Sequence, residues 1–185
     1  MDAVSGLLIL DDASLVRRAQ RGDRAAFSAL VERHYRLAHG CAWRRTGNRA
    51  DAEDIAQDVM AKLGSAIFSL KEPAALRGFL LRLTINAVTD FFRKRSREAR
   101  GNTAYSTDPS VQSEEPEEDG DEDSALWAAV RQLPDQQRDA VLLVYADGAS
   151  HREAAQALGC AEATVSYHVH AARKRLKILL TEDLP

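Results

Sequence analysis

The sequence predicts an all-α protein made of two small helical domains joined by an acidic flexible linker. Three observations lead there. Apolar residues recur at helical spacing through most of the chain, and alternating strand patterns are missing. The few Gly and Pro residues fall between the periodic segments. One stretch, residues 101–124, breaks the pattern with Ser, Pro, Gly and acids and few apolar side chains. Such a stretch cannot bury enough surface to offset its ordering entropy.

The first helix is expected after Asp11 or Asp12, either of which can cap it, and runs to the turn "RGD" at 21–23. "AAFSALVERHYRLAHGCAWRR" follows, and "TGNRA" at 46–50 breaks it. "DAEDIAQDVMAKL" carries the cleanest stripe. Ala52, Ile55, Ala56, Val59, Met60 and Leu63 share one face and leave Asp51, Asp54, Gln57, Asp58 and Lys62 outside. After a loop at 69–75 marked by Pro73, a long helix is predicted from about Leu76 to about Arg97.

That long helix ends "LTINAVTDFFRKRSREAR". Leu81, Ile85, Val88 and Phe92 fall on one stripe. Arg82, Asn86, Asp90 (or Thr89), Arg93 and Arg97 fall on another, with Lys94, Arg95 and Arg100 nearby. Cations suit phosphates, and an Asn amide can bond a base edge on two sides. An ordinary amphipathic helix with a solvated polar side explains the same pattern.

Beyond the linker, "ALWAAVRQL" ends at Pro134, and "DQQRDAVLLVYADG" starts on a capping Asp135. "SHREAAQALG" starts on Ser150 with Glu153 three residues on, the spacing of a capping box. A last helix follows, with Val165, Val169, Ala172, Leu176 and Leu179 or Leu180 inward. A short helix, a turn opened by Gly159 and a longer helix make helix-turn-helix spacing. The longer helix turns Thr164, Ser166, Tyr167, His168, His170, Arg173, Lys174 and Arg175 outward. Hydrogen-bonding groups come first and cations last, an order suited to base edges and then phosphates. A helical hairpin with a solvated basic end is the plainer alternative.

Charge follows the same division. Residues 1–100 carry 18 Lys/Arg and 12 Asp/Glu (net +6), residues 101–124 carry nine acids (net −9), and residues 125–185 carry seven of each (net 0). The total of −3 conceals a basic lobe, an acidic tether and a balanced lobe. Two distant cysteines, Cys41 and Cys160, give no disulfide framework. The apolar run Leu7 to Leu10 is too short for a secretion signal or a membrane span, so a cytoplasmic protein with no membrane insertion is expected. No phosphate-binding Gly-rich loop and no nucleophile–base pattern appears, which points away from an enzyme and from a cofactor. His34, His39 and Cys41, or His168 and His170, are the candidate metal ligands. Residues two apart on a helix diverge, so the second pair is poor and no metal is expected.

Four segments in order resemble the extracytoplasmic-function (ECF) sigma factors of bacterial RNA polymerase. They are "AQRGDRAAFSALVERHY", "GNRADAEDIAQDVM", "LRGFLLRLTINAVTDFFRKR" and "LPDQQRDAVLLVYADGASHREAAQALGCAEATVSYHVHAARKRL". The resemblance implies a region-two helical bundle over 1–100, a linker over 101–124 and a region-four helix-turn-helix over 125–185. It implies that Asp51, Asp54, Gln57 and Asp58 meet the clamp of the polymerase's largest subunit. It implies that Arg82, Asn86, Asp90, Arg93, Lys94 and Arg97 serve recognition and melting of the minus-ten element, with the loop at 71–76 capturing a flipped base. It implies that the last helix reads the minus-thirty-five element, that its domain touches the polymerase flap, and that an anti-sigma factor holds the protein inactive. Departures from the family pattern are Phe79 in place of Trp, "LGSAI" where an aromatic is common, and Ser166, His168 and Ala171 where cations are usual. Those departures raise an alternative, a sigma-like decoy that sequesters an anti-sigma factor without initiating transcription.

Overall fold

The computed structural model describes residues 10–101 and 121–182. Every regular element among them is helical. The chain divides into two compact units, residues 1–114 and 115–185. The expected linker falls mostly at 102–120, outside the described residues. Its two ends differ from expectation, because Gly101 closes one helix and Asp121 opens the next.

In the first unit, α1 (Asp12–Ala19) is capped by Asp11, whose carboxylate accepts from Ser14 N at 2.9 Å. Hydrogen bonds from the Ser14 side chain and from its backbone N–H hold the Asp11 carboxyl below the usual range. α2 (Arg24–Thr46) is capped by Asp23, which also takes the Arg18 guanidinium at 2.7 Å. Gly47 ends α2 in the left-handed conformation at φ 67, and Asn48 caps α3 (Arg49–Ala66) through Asp51 N. The break between these helices is therefore two residues long. Short 3-10 turns at Ile67–Ser69 and Pro73–Ala75 lead into α4 (Leu76–Gly101).

The core of this unit lies where α1, α2, α3 and α4 meet. Leu15, Leu30, Leu63, Ile67, Leu76 and Leu80 are fully enclosed there. The α3 stripe read from sequence, Ala52 through Leu63, is buried at every position. Phe91 packs against this core and Phe92 does not: it is 44% exposed, which corrects the expected inner stripe of α4.

His34 is buried, and its Nε2 meets Asp12 Oδ2 at 2.9 Å, while Arg33 holds Asp12 Oδ1 at 2.7 Å. Burial pushes the His34 imidazole below its ordinary value, and the Asp12 charge only partly opposes this. The unfolded ring takes up a proton as pH falls through about 6.5, while the folded ring waits for a lower pH. The unfolded state then binds more protons, so stability should decline as pH falls below about 6.5 and level off once the folded ring also protonates. Thermal melts from pH 8 downwards should show this slope, and His34→Gln should flatten it. An unchanged slope in the variant would assign the effect to other groups.

In the second unit, α5 (Asp121–Arg131) is followed by α6 (Asp135–Val141). Asp135 does not cap α6: Pro134 holds that place, and the Asp135 carboxylate instead takes Arg138 at 2.6 Å. α6 widens into a π-helical turn at Leu142–Ala146, with Asp147 N bonding Leu142 O at 2.8 Å. α7 (His151–Leu158) carries the full capping box, since Ser150 Oγ accepts from Glu153 N and Glu153 Oε2 accepts from Ser150 N. Gly159 then turns the chain at φ 68 into α8 (Glu162–Glu182). Val165, Val169 and Ala172 face inward as expected.

The Gly159 turn sets the angle between α7 and α8. A Cβ built there meets nothing within 4 Å, so an alanine would bear the cost of the left-handed backbone alone. Gly159→Ala should lower the stability of the second unit by about 1–2 kcal/mol. A chemical melt of the 121–185 signals, followed through Trp127, reads it. A loss below a few tenths of a kcal/mol would mean the turn relaxes freely.

Candidate polymerase and nucleic-acid interfaces

α4 carries two opposed faces. Leu81, Ile85 and Val88 are buried, and Arg82, Asn86, Asp90, Arg93, Lys94 and Arg97 are all exposed. Thr84 on the inner side is fully buried, and its hydroxyl returns to Leu80 O at 2.9 Å. That bond satisfies the only buried polar side chain on this face. Asp90 and Arg93 stand 3.9 Å apart, and Arg97 Nε reaches Arg93 O at 3.3 Å. Cations crowd the last turns, where the carbonyl end of the helix favours positive charge. The side chain of Arg100 lies outside the described residues.

On α3, Asp54, Gln57 and Asp58 are exposed. Asp51 differs from them. It is half-buried, and its Oδ2 meets Arg95 Nη1 of α4 at 3.5 Å. The pair links two helices 44 residues apart, a connection without any local signature in the sequence. Three of the four polar residues, Asp54, Gln57 and Asp58, are therefore open for a partner, and Asp51 belongs first to the bundle.

The segment between α3 and α4 is held from a distance. The Gln20 amide donates to Ile67 O at 2.8 Å and to Leu70 O at 2.9 Å. Ile67 and Leu70 are buried, while Phe68 between them stands 62% exposed. Phe68 directly follows "LGSAI", so an aromatic does stand close behind α3, which corrects the departure expected there. Its signal was available, because Phe68 falls off the stripe that joins Leu63, Ile67 and Leu70. Lys71, Glu72 and Ala74 of the following loop are exposed too.

On α8, Ser166, Tyr167, His170, Arg173, Lys174 and Arg175 are exposed, and Tyr167 reaches 68%. Ser166, Tyr167, His170, Arg173 and Lys174 recur at i, i+1, i+4, i+7 and i+8, one helix face. Thr164 and His168 are half-buried. The His168 ring lies edge-on to Tyr167 at 5.4 Å, and its Nδ1 is buried without a hydrogen-bond partner. The expected outward His168 is thus corrected to a ring with one nitrogen sealed off. Ser166 also has a partner unseen in sequence, since its Oγ lies 2.8 Å from His151 Nδ1 at the start of α7. The remaining histidine and cysteine candidates are dispersed. His34 is engaged by Asp12, His39 stacks near Tyr35, and the buried Cys41 lies against Arg45.

Residues 30–98 match the family model Sigma-70 region 2, and residues 123–176 match Sigma-70, region 4. The chain is 34% identical over 173 residues to the ECF RNA polymerase sigma factor SigM of Mycobacterium tuberculosis, covering 91% of this chain and 84% of that protein. The chain belongs to the ECF RNA polymerase sigma factor family. This sigma factor is also 30% identical to the RNA polymerase sigma factor NccH of Alcaligenes xylosoxydans xylosoxydans, over 91% of its own length and 94% of the relative. Among solved structures it is similar to CnrH in complex with the cytosolic domain of CnrY, with a TM-score of 0.69, 25% identity and coverage of 93% and 98%. It is similar as well to the sigma factor RpoE in complex with the anti-sigma factor NepR from Bartonella quintana, with a TM-score of 0.68, 26% identity and coverage of 85% and 98%. Sigma factors are transcription regulators, and this one is an alternative sigma factor that directs initiation by RNA polymerase. Among its described residues, no helix is long and apolar enough to cross a membrane.

Proposed function

We propose that this sigma factor divides its work between its two units, acting in the cytoplasm. The first joins core polymerase and opens the minus-ten element; the second reads the minus-thirty-five element and rests on the flap. The α4 helix carries this reading. It is anchored by Leu81, Ile85 and Val88 while it holds out Arg82, Asn86, Asp90, Arg93, Lys94 and Arg97. Duplex melting exposes bases that need partners. Asn86 offers an amide to a base edge, and the cations hold the backbone beside it. Phe68 presents an open ring at the entry to the 71–76 loop, where an extruded base can stack. Asp54, Gln57 and Asp58 offer the clamp a polar face one helix away, with Asp51 steadying it from behind.

The two solved relatives described above are bound to CnrY and to an anti-sigma factor. By that likeness an anti-sigma factor holds this protein until it is needed. The decisive experiment is run-off transcription with purified core polymerase on genomic fragments. Promoter-specific transcripts that appear only with the sigma factor support the reading. Core binding without any transcript would favour the sequestering decoy instead.

A further inference from the structure

Ser166 sits at the front of the exposed face of α8, yet its hydroxyl is already engaged. His151 Nδ1 lies 2.8 Å from Ser166 Oγ, across the helix-turn-helix. Ser166 is exposed and His151 is half-buried, so the bond lies at the edge of the surface that would enter the groove. A free serine hydroxyl rotates, and it donates or accepts as its partner requires. A serine of that kind contributes little discrimination between bases. A fixed one offers a single polarity.

We propose that His151 is a specificity-positioning residue: its Nδ1 accepts the Ser166 proton, so that Ser166 meets the groove as an acceptor and selects cytosine or adenine on the contacted strand. Those two bases present an exocyclic amino donor in the major groove, N4 of cytosine or N6 of adenine, whereas guanine and thymine present acceptors there. Two acceptors facing one another leave both without a proton, which penalises guanine and thymine. The inference rests on the reading of α8 as the groove helix and adds a residue of α7 that touches no base. The backbone around His151 is well prepared for this role. The Ser150–Glu153 capping box fixes the first turn of α7, and the Gly159 turn fixes α8 against it.

The test uses the full chain assembled with core polymerase and a promoter library randomised across the upstream element, read by counting transcripts. The wild type should prefer C or A at one position on one strand. Ser166→Ala identifies that position by losing the preference there, roughly five- to tenfold for one hydrogen bond. His151→Ala should lose the same preference at the same position, and the double variant should lose no more than either alone. His151→Asn should retain it, because its side-chain oxygen takes the place of Nδ1. Thermal melts establish that each variant folds. Several outcomes would overturn the proposal. They are a wild-type preference at that pair for A·T over G·C, or the reverse, in both strand orientations alike, an equal loss in H151N and H151A, or a uniform drop across the whole library in H151A. A wild type without any upstream preference would instead refute the groove reading of α8, and the proposal would fall with it.

Discussion

Asn86→Ala is expected to leave the chain folded and bound to core polymerase while open-complex formation falls by about tenfold or more. The side chain is exposed and stands opposite the buried Leu81, Ile85 and Val88, so its removal opens no cavity. Folding energy should barely change, because surface substitutions away from special features usually stay within about 0.5 kcal/mol. Melting is another matter. An Asn that bonds a base on two sides is worth about 1–3 kcal/mol. The exposed base would also lose its replacement for pairing and stacking. Permanganate reactivity of unpaired thymines reads the opening, and a gel shift with core polymerase reads assembly. Normal permanganate reactivity in the variant would remove Asn86 from the minus-ten interface.

The second large effect should run in the opposite direction. Asp54→Ala with Asp58→Ala should weaken core association by at least about tenfold and leave the opening step of preassembled complexes intact. Both carboxylates are exposed in the free chain, where ion pairs are worth little, about 0–1 kcal/mol. At an interface they are desolvated, and removing one member of a buried charge pair costs about 2–5 kcal/mol. The loss should shrink as salt rises if the contacts stay at the rim, and persist if they are enclosed. Competition with a second sigma factor for limiting core polymerase measures it. Asp51→Ala should behave differently, because that acid already meets Arg95 at 3.5 Å. Its main effect should fall on how α3 and the end of α4 are held together. If D54A/D58A competes like wild type, the clamp contact lies elsewhere on the bundle.

The features legible in the sequence were the ones that local chemistry decides. The α3 stripe, the Ser150–Glu153 box and the turn at Gly159 each depend on residues within a few positions, and all three stand in the structure. Phe92 was misplaced because a helix stripe tells which residues share a face, not where the neighbouring helices stop. Near the end of the bundle the core meets Phe91, and the ring one step on turns to solvent. Asp135 looked like a cap by type, but Pro134 took the position and left its neighbour to pair with Arg138. Within the candidate interfaces, exposure of Asn86, Asp54 and Tyr167 followed from periodicity. The bonds that modify them, Asp51 to Arg95 and His151 to Ser166, join residues 44 and 15 positions apart. No local pattern encodes such pairings; they arise only when packing brings the helices together.

The hold of Gln20 on the turn before α4 has a further consequence. One side chain from the end of α1 satisfies two carbonyls, Ile67 O and Leu70 O, about fifty positions downstream. A loop that must receive an extruded base faces an entropy loss at that moment unless it is already ordered. Here the ordering of the 67–70 turn happens during folding, far from any DNA. The turn that leads into the proposed base-receiving loop at 71–76 is thus held by α1, the first helix among the described residues. Under the proposed function, Gln20→Ala is expected to loosen this turn and slow promoter opening without removing any group offered to DNA.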